Sequence, residues 1–233
     1  MADPDDGFTA QILLYDGFDE LDAIGPYEAL AIAGEILAEA DPADSPGADA
    51  PSTLTVEYVT LEPRERVVAS HGTRIEPDGV LAVPSEGESA ASNPDILVIP
   101  GGGWTARDPD ASAWAEAQRG AIPDALAAIA GTGVRLASVC TGTMLLATAG
   151  ITDGRRAVTH ASALDDLRES GATVVDARVV DDGDVVSAGG ITSGIDLGIY
   201  LVRDVLGETI ADRVATRLEY APQGTVAGRD ESA

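Results

Sequence analysis

The fold is decided by one stretch, Val134-Arg135-Leu136-Ala137-Ser138-Val139-Cys140-Thr141-Gly142-Thr143-Met144-Leu145-Leu146, in which a strand-like apolar run meets a helix-like one. Cys140 is the only cysteine of the 233 residues and stands at the junction. A sharp strand-to-helix turn lifts one side chain above the sheet edge and needs small neighbours two positions away, here Ser138 and Gly142. The stretch therefore predicts a nucleophile elbow in an α/β protein.

The helix after Cys140 is expected to point its free N–H groups and its positive dipole end at the sulfur. Both favour the thiolate, which is the nucleophilic form of cysteine, over the thiol. The alternative interpretation is a small buried hydrophobic residue, which is common for a lone cysteine. The spacing of the elbow favours the nucleophile.

Strand-like and helix-like segments alternate along the rest of the chain. The predicted strands are 11–15, 53–61, 96–100, 134–139, 157–159 and 185–188. The predicted helices are 22–40, 111–130, 141–149, 162–170, 193–206 and 208–219. This alternation is typical of a parallel α/β sheet covered by helices on both faces. Hairpins over 67–75 and 178–187 are predicted as antiparallel edges of that sheet.

We expect a single domain over residues 9–219. An acidic segment, 1–8, precedes it, and a flexible tail, 220–233, follows it. Two polar loops, 41–52 and 84–94, interrupt the pattern without dividing the chain into domains.

The chain is strongly acidic, with 40 Asp and Glu against 14 basic residues, all of them arginine, and a net charge of −26. Such a balance repels nucleic acid and anionic membranes, so neither is an expected partner. We interpret the charge as an adaptation to concentrated salt, that is, a halophilic protein. At about 1 M salt the Debye length is only about 3 Å, which screens the self-repulsion.

The N-terminal residues are acidic and lack the basic and apolar regions of a signal peptide, and no run approaches 18 apolar residues. We therefore expect a cytoplasmic protein. The lone cysteine excludes an internal disulfide bond. His71 and His160 are far apart in sequence and show no metal-ligand spacing, so no metal is expected.

A glycine loop, Gly101-Gly102-Gly103, follows the buried strand predicted at 96–100. Glycine backbone lets N–H groups approach a reacting atom, so Gly102 is a candidate oxyanion-hole residue beside Cys140. With Trp104-Thr105-Ala106 the loop also matches the dinucleotide fingerprint G-x-G-x-x-A, but it lies mid-chain and lacks the expected ribose-binding acid. We expect no cofactor; a purely structural turn is the remaining alternative.

Asp22 follows the first predicted strand. Loops after parallel strands gather at the carboxyl edge of the sheet, so this residue can share a crevice with Gly102 and Cys140. There Asp22 is a candidate acid/base partner, and an N-cap of the following helix is the alternative. Its neighbours Asp19 and Glu20 are expected to be solvated.

His160 ends the strand predicted at 157–159 and is expected at the same edge. It can polarise a substrate or pair with the thiolate, and a capping or hydrogen-bonded structural histidine is the alternative. Thr141, directly after the nucleophile, offers a hydroxyl and a backbone N–H to the same place. His71 is assigned no role.

Taken together, these segments resemble the ThiJ/PfpI superfamily from about Thr9 to Glu219. The motifs that carry the resemblance are Gly17-Phe18-Asp19-Glu20-Leu21-Asp22, Val98-Ile99-Pro100-Gly101-Gly102-Gly103, Ser138-Val139-Cys140-Thr141-Gly142, Val158-Thr159-His160 and Ser187-Ala188-Gly189-Gly190-Ile191-Thr192-Ser193-Gly194-Ile195-Asp196. The resemblance implies a flavodoxin-like fold, similar to class I glutamine amidotransferase domains, in a homodimer. It also implies a nucleophilic Cys140 bonded to Asp22, with the N–H groups of Gly102 and Thr141 as the oxyanion hole.

Proteases of that superfamily have histidine directly after the cysteine, where this chain has Thr141, so peptide hydrolysis is not expected. The motifs look most like the isonitrile hydratase branch and the ligand-binding half of related AraC-type regulators. Only 14 residues follow Glu219, so we expect no regulator. The expected activity is cofactor-independent hydration of a small isonitrile. The alternatives are a glyoxalase or deglycase acting on 2-oxoaldehydes and a non-enzymatic cysteine redox sensor.

Overall fold

The computed structural model describes residues 7–39, 50–84 and 93–228. Most of the two predicted polar loops, and the outer parts of both terminal segments, lie outside these residues. The strands are β1 (Phe8–Leu13), β2 (Leu54–Thr60), β3 (Val67–Val68), β4 (Arg74–Ile75), β5 (Gly79–Val80), β6 (Ile96–Ile99), β7 (Arg135–Val139), β8 (Arg156–Ala157), β9 (Thr173–Val174), β10 (Val179–Asp181), β11 (Val185–Ala188) and β12 (Val226–Ala227). The helices are α1 (Glu20–Glu39), α2 (Ala113–Arg119), α3 (Ala121–Ile129), α4 (Gly142–Thr148), α5 (Leu164–Glu169), α6 (Ser193–Leu206) and α7 (Glu208–Arg217).

The main sheet has eight strands in the order β12-β10-β11-β7-β6-β1-β2-β5. Neighbouring strands from β11 to β5 run parallel, and β10 is antiparallel to β11. The predicted mostly parallel α/β sheet is therefore confirmed. Its central strands read as continuous apolar runs because helices cover both faces, and every residue of β6 is buried.

The register of the central strands brings their carboxyl ends to one level. Ile99 of β6 pairs with Ser138 of β7, and Ala188 of β11 pairs with Val139. In the sheet, β2 lies on one side of β1, whereas β6 and β7 lie on the other side of β1. The change of direction between β1 and β6 opens a crevice at this edge, where ligands bind in open α/β sheets.

The helices form two groups. Helices α1, α6 and α7 pack on one another, and α2, α3 and α4 form the second group. The right-handed crossover through α1 runs one way along the sheet and those through α2, α3 and α4 run the other way, which places them on opposite faces. Helices α6 and α7 lie on the α1 face because they pack on α1. Within the described parts of the chain, no helix combines the length and the apolar character needed to cross a lipid bilayer.

The single helix predicted over 111–130 is wrong, because the chain forms α2 and α3 there. Gly120 separates them with a φ of 81°, and its N–H donates to the carbonyl of Glu116 at 3.1 Å. This is the left-handed glycine that ends a helix. Pro123 then lies in the first turn of α3, where proline is tolerated because the N–H groups there have no partner within the helix.

Two predicted strand placements are also wrong. The hairpin at 67–75 forms, but β3 and β4 make a separate two-stranded sheet and not an edge of the main one. The strand predicted at 157–159 shortens to β8, which pairs with β9 outside the main sheet. The hairpin of β10 and β11 is confirmed as antiparallel, yet β12 lies beyond β10 and takes the edge.

The described part of the predicted tail packs on the domain. Strand β12 pairs parallel with β10. The Tyr220 hydroxyl and the Gln223 N–H donate to the two carboxylate oxygens of Asp196, at 3.0 and 2.7 Å. Asp196 also forms an ion pair with Arg178. These contacts fix the tail as far as Gly228.

The acidic surface retains a large excess of carboxylates over the arginines that can neutralise them. Arg135 forms ion pairs with Asp181 and Asp204, and Arg155 forms them with Asp182 and Asp184. With 40 carboxylates against 14 arginines, the arginines neutralise only part of the negative charge.

We expect the protein to lose structure as KCl falls from about 1 M to about 0.1 M, because the Debye length grows from about 3 to about 10 Å and the carboxylates repel one another. Circular dichroism melts across this range measure the effect. The same melts in sucrose of equal osmolality are the control, since an uncharged solute does not screen charge. A melting temperature that is independent of KCl would contradict the prediction.

Candidate active site

Cys140 lies in a tight turn between β7 and α4. Its φ is 57°, a left-handed value that is uncommon for residues other than glycine. The surrounding chain fixes this conformation: the Cys140 N–H donates to the carbonyls of Ala188 and Gly189 at 3.0 and 2.9 Å, and the Thr159 hydroxyl donates to the Cys140 carbonyl at 2.8 Å. A strained residue over-determined by its neighbours is typical of a functional position.

Small residues give the elbow room to form. A Cβ on Gly142 would lie 2.1 Å from the carbonyl oxygen of Ile99, and a Cβ on Gly101 would lie 2.4 Å from the Thr141 nitrogen. Ser138 is fully buried, with its hydroxyl 2.8 Å from that of Thr143. The elbow is therefore built on the close approach of β6 to the start of α4.

We expect Gly142→Ala to lower the free energy of unfolding by about 1–3 kcal/mol, because the added methyl overlaps backbone that cannot move independently. The matched control is Gly79→Ala in β5, where a Cβ meets nothing within 4 Å, so its stability should stay within about 0.5 kcal/mol of the wild type. Urea titrations in molar KCl measure both. Equal stability of the two variants would show that the elbow does not need glycine.

Asp22 lies in the first turn of α1, fully buried, and faces the elbow. The Gly101 N–H donates to Oδ2 of Asp22 at 3.1 Å. The other carboxylate oxygen, Oδ1, is buried and has no hydrogen-bond partner among the described residues. The Cys140 side chain is close enough to the carboxyl for each group to affect the pKa of the other. Asp22 is thus not the N-cap of α1, which begins at Glu20. Asp19 accepts the N–H of Leu21 instead, at 3.2 Å.

Burial controls the protonation of this pair. Burial, and then the nearby Asp19 charge, raises the pKa of Asp22 to about 8. Burial, and then the Asp22 charge, raises the pKa of Cys140 to about 12, although the N–H groups of Ile191 and Thr141 act in the opposite direction. The N–H of Thr141, at the start of α4, favours the thiolate as predicted, but desolvation by burial acts more strongly in the opposite direction.

Burial therefore favours the protonated form of both side chains. They titrate as a coupled unit, and the first proton to leave is shared by the carboxyl and the thiol. A thiolate formed next to a protonated Asp22 meets no negative charge and gains a hydrogen bond. The Cys140 thiolate can therefore form as the pair transfers a proton to a substrate.

The glycine loop contributes less to an oxyanion hole than predicted. The Gly102 N–H donates to the Thr141 hydroxyl at 3.0 Å, and the Gly101 N–H is bonded to Asp22. A Cβ on Gly102 would lie 2.3 Å from the carbonyl oxygen of Gly17, and its φ is 143°. The loop therefore joins the start of α1 to the elbow, and the N–H groups of Gly101 and Gly102 are already bonded.

Ile191 is a site residue that the sequence analysis did not single out. It follows β11, its N–H lies against the Cys140 sulfur together with that of Thr141, and its φ is 31°, which is unusual for a β-branched residue. Its side chain is 39% exposed. The signal available in the sequence was the Gly189-Gly190 pair directly before it, which marks a backbone that approaches another group closely.

The sequence profile of the DJ-1/PfpI family matches residues 9–204. The chain belongs to the DJ-1/PfpI family. A ThiJ/PfpI family protein from Pseudomonas syringae superposes with a TM-score of 0.74 at 23% identity, covering 94% of this chain and 77% of that one. Drosophila melanogaster DJ-1beta superposes with a TM-score of 0.70 at 21% identity, covering 93% of this chain and all of that one. At these identities the likeness shows the DJ-1/PfpI fold alone.

Curated relatives carry different activities. Isonitrile hydratase of Pseudomonas putida is 46% identical over 85 residues, which is 36% of this chain and 37% of that protein. The transcriptional regulator CdhR of Pseudomonas aeruginosa is 30% identical over 151 residues, 64% of this chain and 40% of the regulator. Deglycase TK1284 of Thermococcus kodakarensis is 28% identical over 177 residues, 76% of this chain and 87% of the deglycase. The first two matches span only about two fifths of those relatives' lengths.

The predicted site residues come together only in part. Cys140, Asp22, Thr141 and Gly102 meet at the crevice, as described above. His160 does not end a strand of the main sheet; it caps the 3-10 turn Ala161–Ala163, and its ring lies against Gly190. His160 therefore lies beside the loop that carries Gly190 and Ile191, and it follows a strand outside the main sheet.

Glu20 and His71 form a polar contact beside the site. Glu20 accepts the His71 N–H at 2.9 Å, and the His71 ring nitrogen Nδ1 lies 2.8 Å from its other oxygen. The expectation that Glu20 is solvated is wrong, because the hairpin covers it. These hydrogen bonds lower the pKa of Glu20 to about 2 despite partial burial. The contact attaches the β3–β4 hairpin to the start of α1.

The arrangement offers no group of metal ligands among the described residues: nowhere do three His, Cys, Asp or Glu side chains converge. The glycine loop also lacks the context of the dinucleotide fingerprint. A turn follows it, with the Arg107 N–H bonded to the Gly103 carbonyl at 3.2 Å, and α2 begins only at Ala113. What the site offers chemically is a thiol, a protonated carboxyl and two N–H groups.

Proposed function

We propose that the protein hydrates a small isonitrile to an N-substituted formamide through a covalent bond to Cys140. The observation that carries the proposal is the buried pair of Cys140 and Asp22, whose protonated forms burial favours, beside the N–H groups of Thr141 and Ile191. The isonitrile hydratase segment that is 46% identical supports the choice of substrate.

The first step joins the sulfur to the terminal isonitrile carbon. That carbon has a lone pair and must gain a proton as the C–S bond forms, so a protonated carboxyl within reach is the acid this reaction requires. Asp22 gives its proton to the carbon and takes the thiol proton of Cys140. The product is a thioimidate, R–N=CH–S, and Asp22 is protonated again.

The second step releases the formamide. Water adds to the thioimidate carbon, the π electrons of the C=N bond move to nitrogen, and nitrogen is protonated. The adduct, R–NH–CH(OH)–S, then collapses: the carbonyl forms, the C–S bond breaks, and the hydroxyl proton returns to the Cys140 and Asp22 pair. Water is the only co-reactant, and the thiol is regenerated.

A second candidate is a glyoxalase or deglycase reaction on a 2-oxoaldehyde. Cys140 would add to the aldehyde carbon to give a hemithioacetal, and Asp22 would supply the proton to its oxygen. The deglycase relative, 28% identical over 177 residues, favours this candidate. A redox sensor is less well supported, because peroxide oxidises the thiolate, whereas burial raises the pKa of Cys140.

Assays of an alkyl isonitrile and of methylglyoxal, side by side in molar KCl, test the proposal. We expect formamide release from the isonitrile, detected by mass spectrometry, and little loss of methylglyoxal. Turnover of methylglyoxal alone would replace the proposed reaction with the second candidate. Turnover of neither, with clean peroxide oxidation of Cys140 to the sulfinic acid, would support the sensor.

A further inference from the structure

The His160 ring is held from one side by its neighbours in the chain. The Ser162 N–H donates to Nδ1 at 3.1 Å, and the Ser162 hydroxyl lies 2.8 Å from the same nitrogen. That hydroxyl is also 2.9 Å from the Thr105 hydroxyl. Thr105 belongs to the segment that follows the glycine loop. The ring is therefore tied to the loop that contacts both Asp22 and Thr141.

These contacts determine which ring nitrogen carries the proton. A backbone N–H can only donate, so Nδ1 must present its lone pair to Ser162. Neutral imidazole has one ring proton, which consequently lies on Nε2. The Nε2 edge faces Gly190: a Cβ there would lie 3.1 Å from Nε2 and 2.3 Å from Cδ2. Gly190 directly precedes Ile191, whose N–H lies against the Cys140 sulfur.

We infer that Ser162 and Thr105 are positioning residues that fix His160 as the Nε2–H tautomer, a neutral hydrogen-bond donor beside Gly190, the residue before Ile191. In this state His160 is not a base, because Nε2 already holds a proton and Nδ1 is occupied by Ser162. The proton transfers at Cys140 are left to Asp22. The group that accepts the Nε2–H hydrogen bond depends on the proposed function, whereas the assignment of the tautomer rests on the contacts with Ser162 alone.

In the hydration of an isonitrile, the donor serves the second step. As water adds to the thioimidate carbon, negative charge develops on the nitrogen that receives the C=N electrons. A neutral N–H donor placed at that nitrogen stabilises the charge and loses no proton of its own. A donor aimed where charge develops in the transition state is typically worth about 10²–10³-fold in rate.

A ring-nitrogen NMR spectrum of the ¹⁵N-labelled full chain, in molar KCl at about pH 9, where neutral imidazole dominates, decides the tautomer. The chain has only two histidines, and His71→Gln assigns their signals. We expect a protonated Nε2 and a bare Nδ1 for His160. His71 is the internal control with the opposite tautomer, because its Nδ1 faces the Glu20 carboxylate, which can only accept. A protonated Nδ1 on His160 would overturn the inference.

Two variants at His160 test the donor role. His160→Gln retains an N–H donor at the end of the side chain, so its kcat should stay within about 10-fold of the wild type. His160→Ala should lose about 10²-fold in kcat, and the Cys140 adduct should accumulate in its intact mass because the second step is slowed. Equal losses in both variants, without adduct, would leave His160 a packing role only. If the wild type hydrates no isonitrile, the proposed function fails, and the NMR spectrum still decides the tautomer.

Discussion

Cys140→Ser is expected to abolish turnover, with a loss of at least about 10³-fold in kcat, while the protein stays folded. A serine hydroxyl is far harder to ionise than a thiol, and the site holds no strong base that could activate it. The neighbours that impose the φ of 57° on this residue, through bonds to its N–H and its carbonyl, do not involve the sulfur. The serine variant should therefore melt within a few degrees of the wild type.

Turnover and intact mass after substrate addition are the measurements for this variant. Thr141→Ser is the matched control, since it keeps the hydroxyl that accepts the Gly102 N–H, and its activity should change by less than about 10-fold. An active Cys140→Ser enzyme would exclude every covalent mechanism, the second candidate included. A variant that fails to fold is identified by its circular dichroism spectrum, and Cys140→Ala then repeats the test.

Asp22→Asn is expected to lose at least about 10²-fold in turnover and to become more stable relative to the wild type as the pH rises. Burial raises the pKa of Asp22 to about 8, so the folded protein binds this proton more tightly than the unfolded chain does. The stabilising contribution is complete below the ordinary carboxyl pKa of about 4 and is lost as the pH rises through about 8. Asparagine does not titrate and avoids that loss.

The stability difference between Asp22→Asn and wild type should therefore grow between pH 5.5 and 8.5, to the order of a few kcal/mol. Melts start at pH 5.5 because the sequence pI is about 4.1, where the protein has little net charge and precipitates readily. Asp19→Asn is the control: it removes a nearby charge but leaves the buried carboxyl. Iodoacetamide should still alkylate Cys140 in Asp22→Asn, which separates lost proton delivery from a collapsed site. A pH-independent difference would show that Asp22 is ionised in the folded protein.

The sequence predicts the elbow well because its determinants are local. The apolar run before Cys140 and the small residues Ser138 and Gly142 mark the turn in the sequence, and Gly101 allows the neighbouring loop to approach it closely. The order of the main strands and helices is also readable. The exceptions are the strands predicted at 67–75 and 157–159, which lie outside the main sheet, and the break between α2 and α3, which the alanine-rich helical pattern of 111–130 hides. The signal was present in Gly120 and Pro123, whose positions at the end of one helix and the start of the next match their preferences.

The protonation of the site could not be read from sequence, because it depends on what the fold buries. The helix after Cys140 is visible in the chain, and its dipole favours a thiolate. The neighbourhood of Asp22 and the exclusion of water are properties of the assembled crevice, and they act in the opposite direction. The same holds for Ile191 and His160, since their contacts cross between segments far apart in sequence.

Strand β12 also bears on how the chain can be cut or extended. Without it, β10 would present a bare row of N–H and carbonyl groups, the kind of edge on which a second chain can add a strand and start aggregation. Shortening the protein after Glu219 would also remove Tyr220 and Gln223, which donate hydrogen bonds to Asp196. The ion pair between Asp196 and Arg178 would then lose this support. Strand β12 therefore protects the edge of the sheet, and shortening the chain before it would expose β10 to other chains.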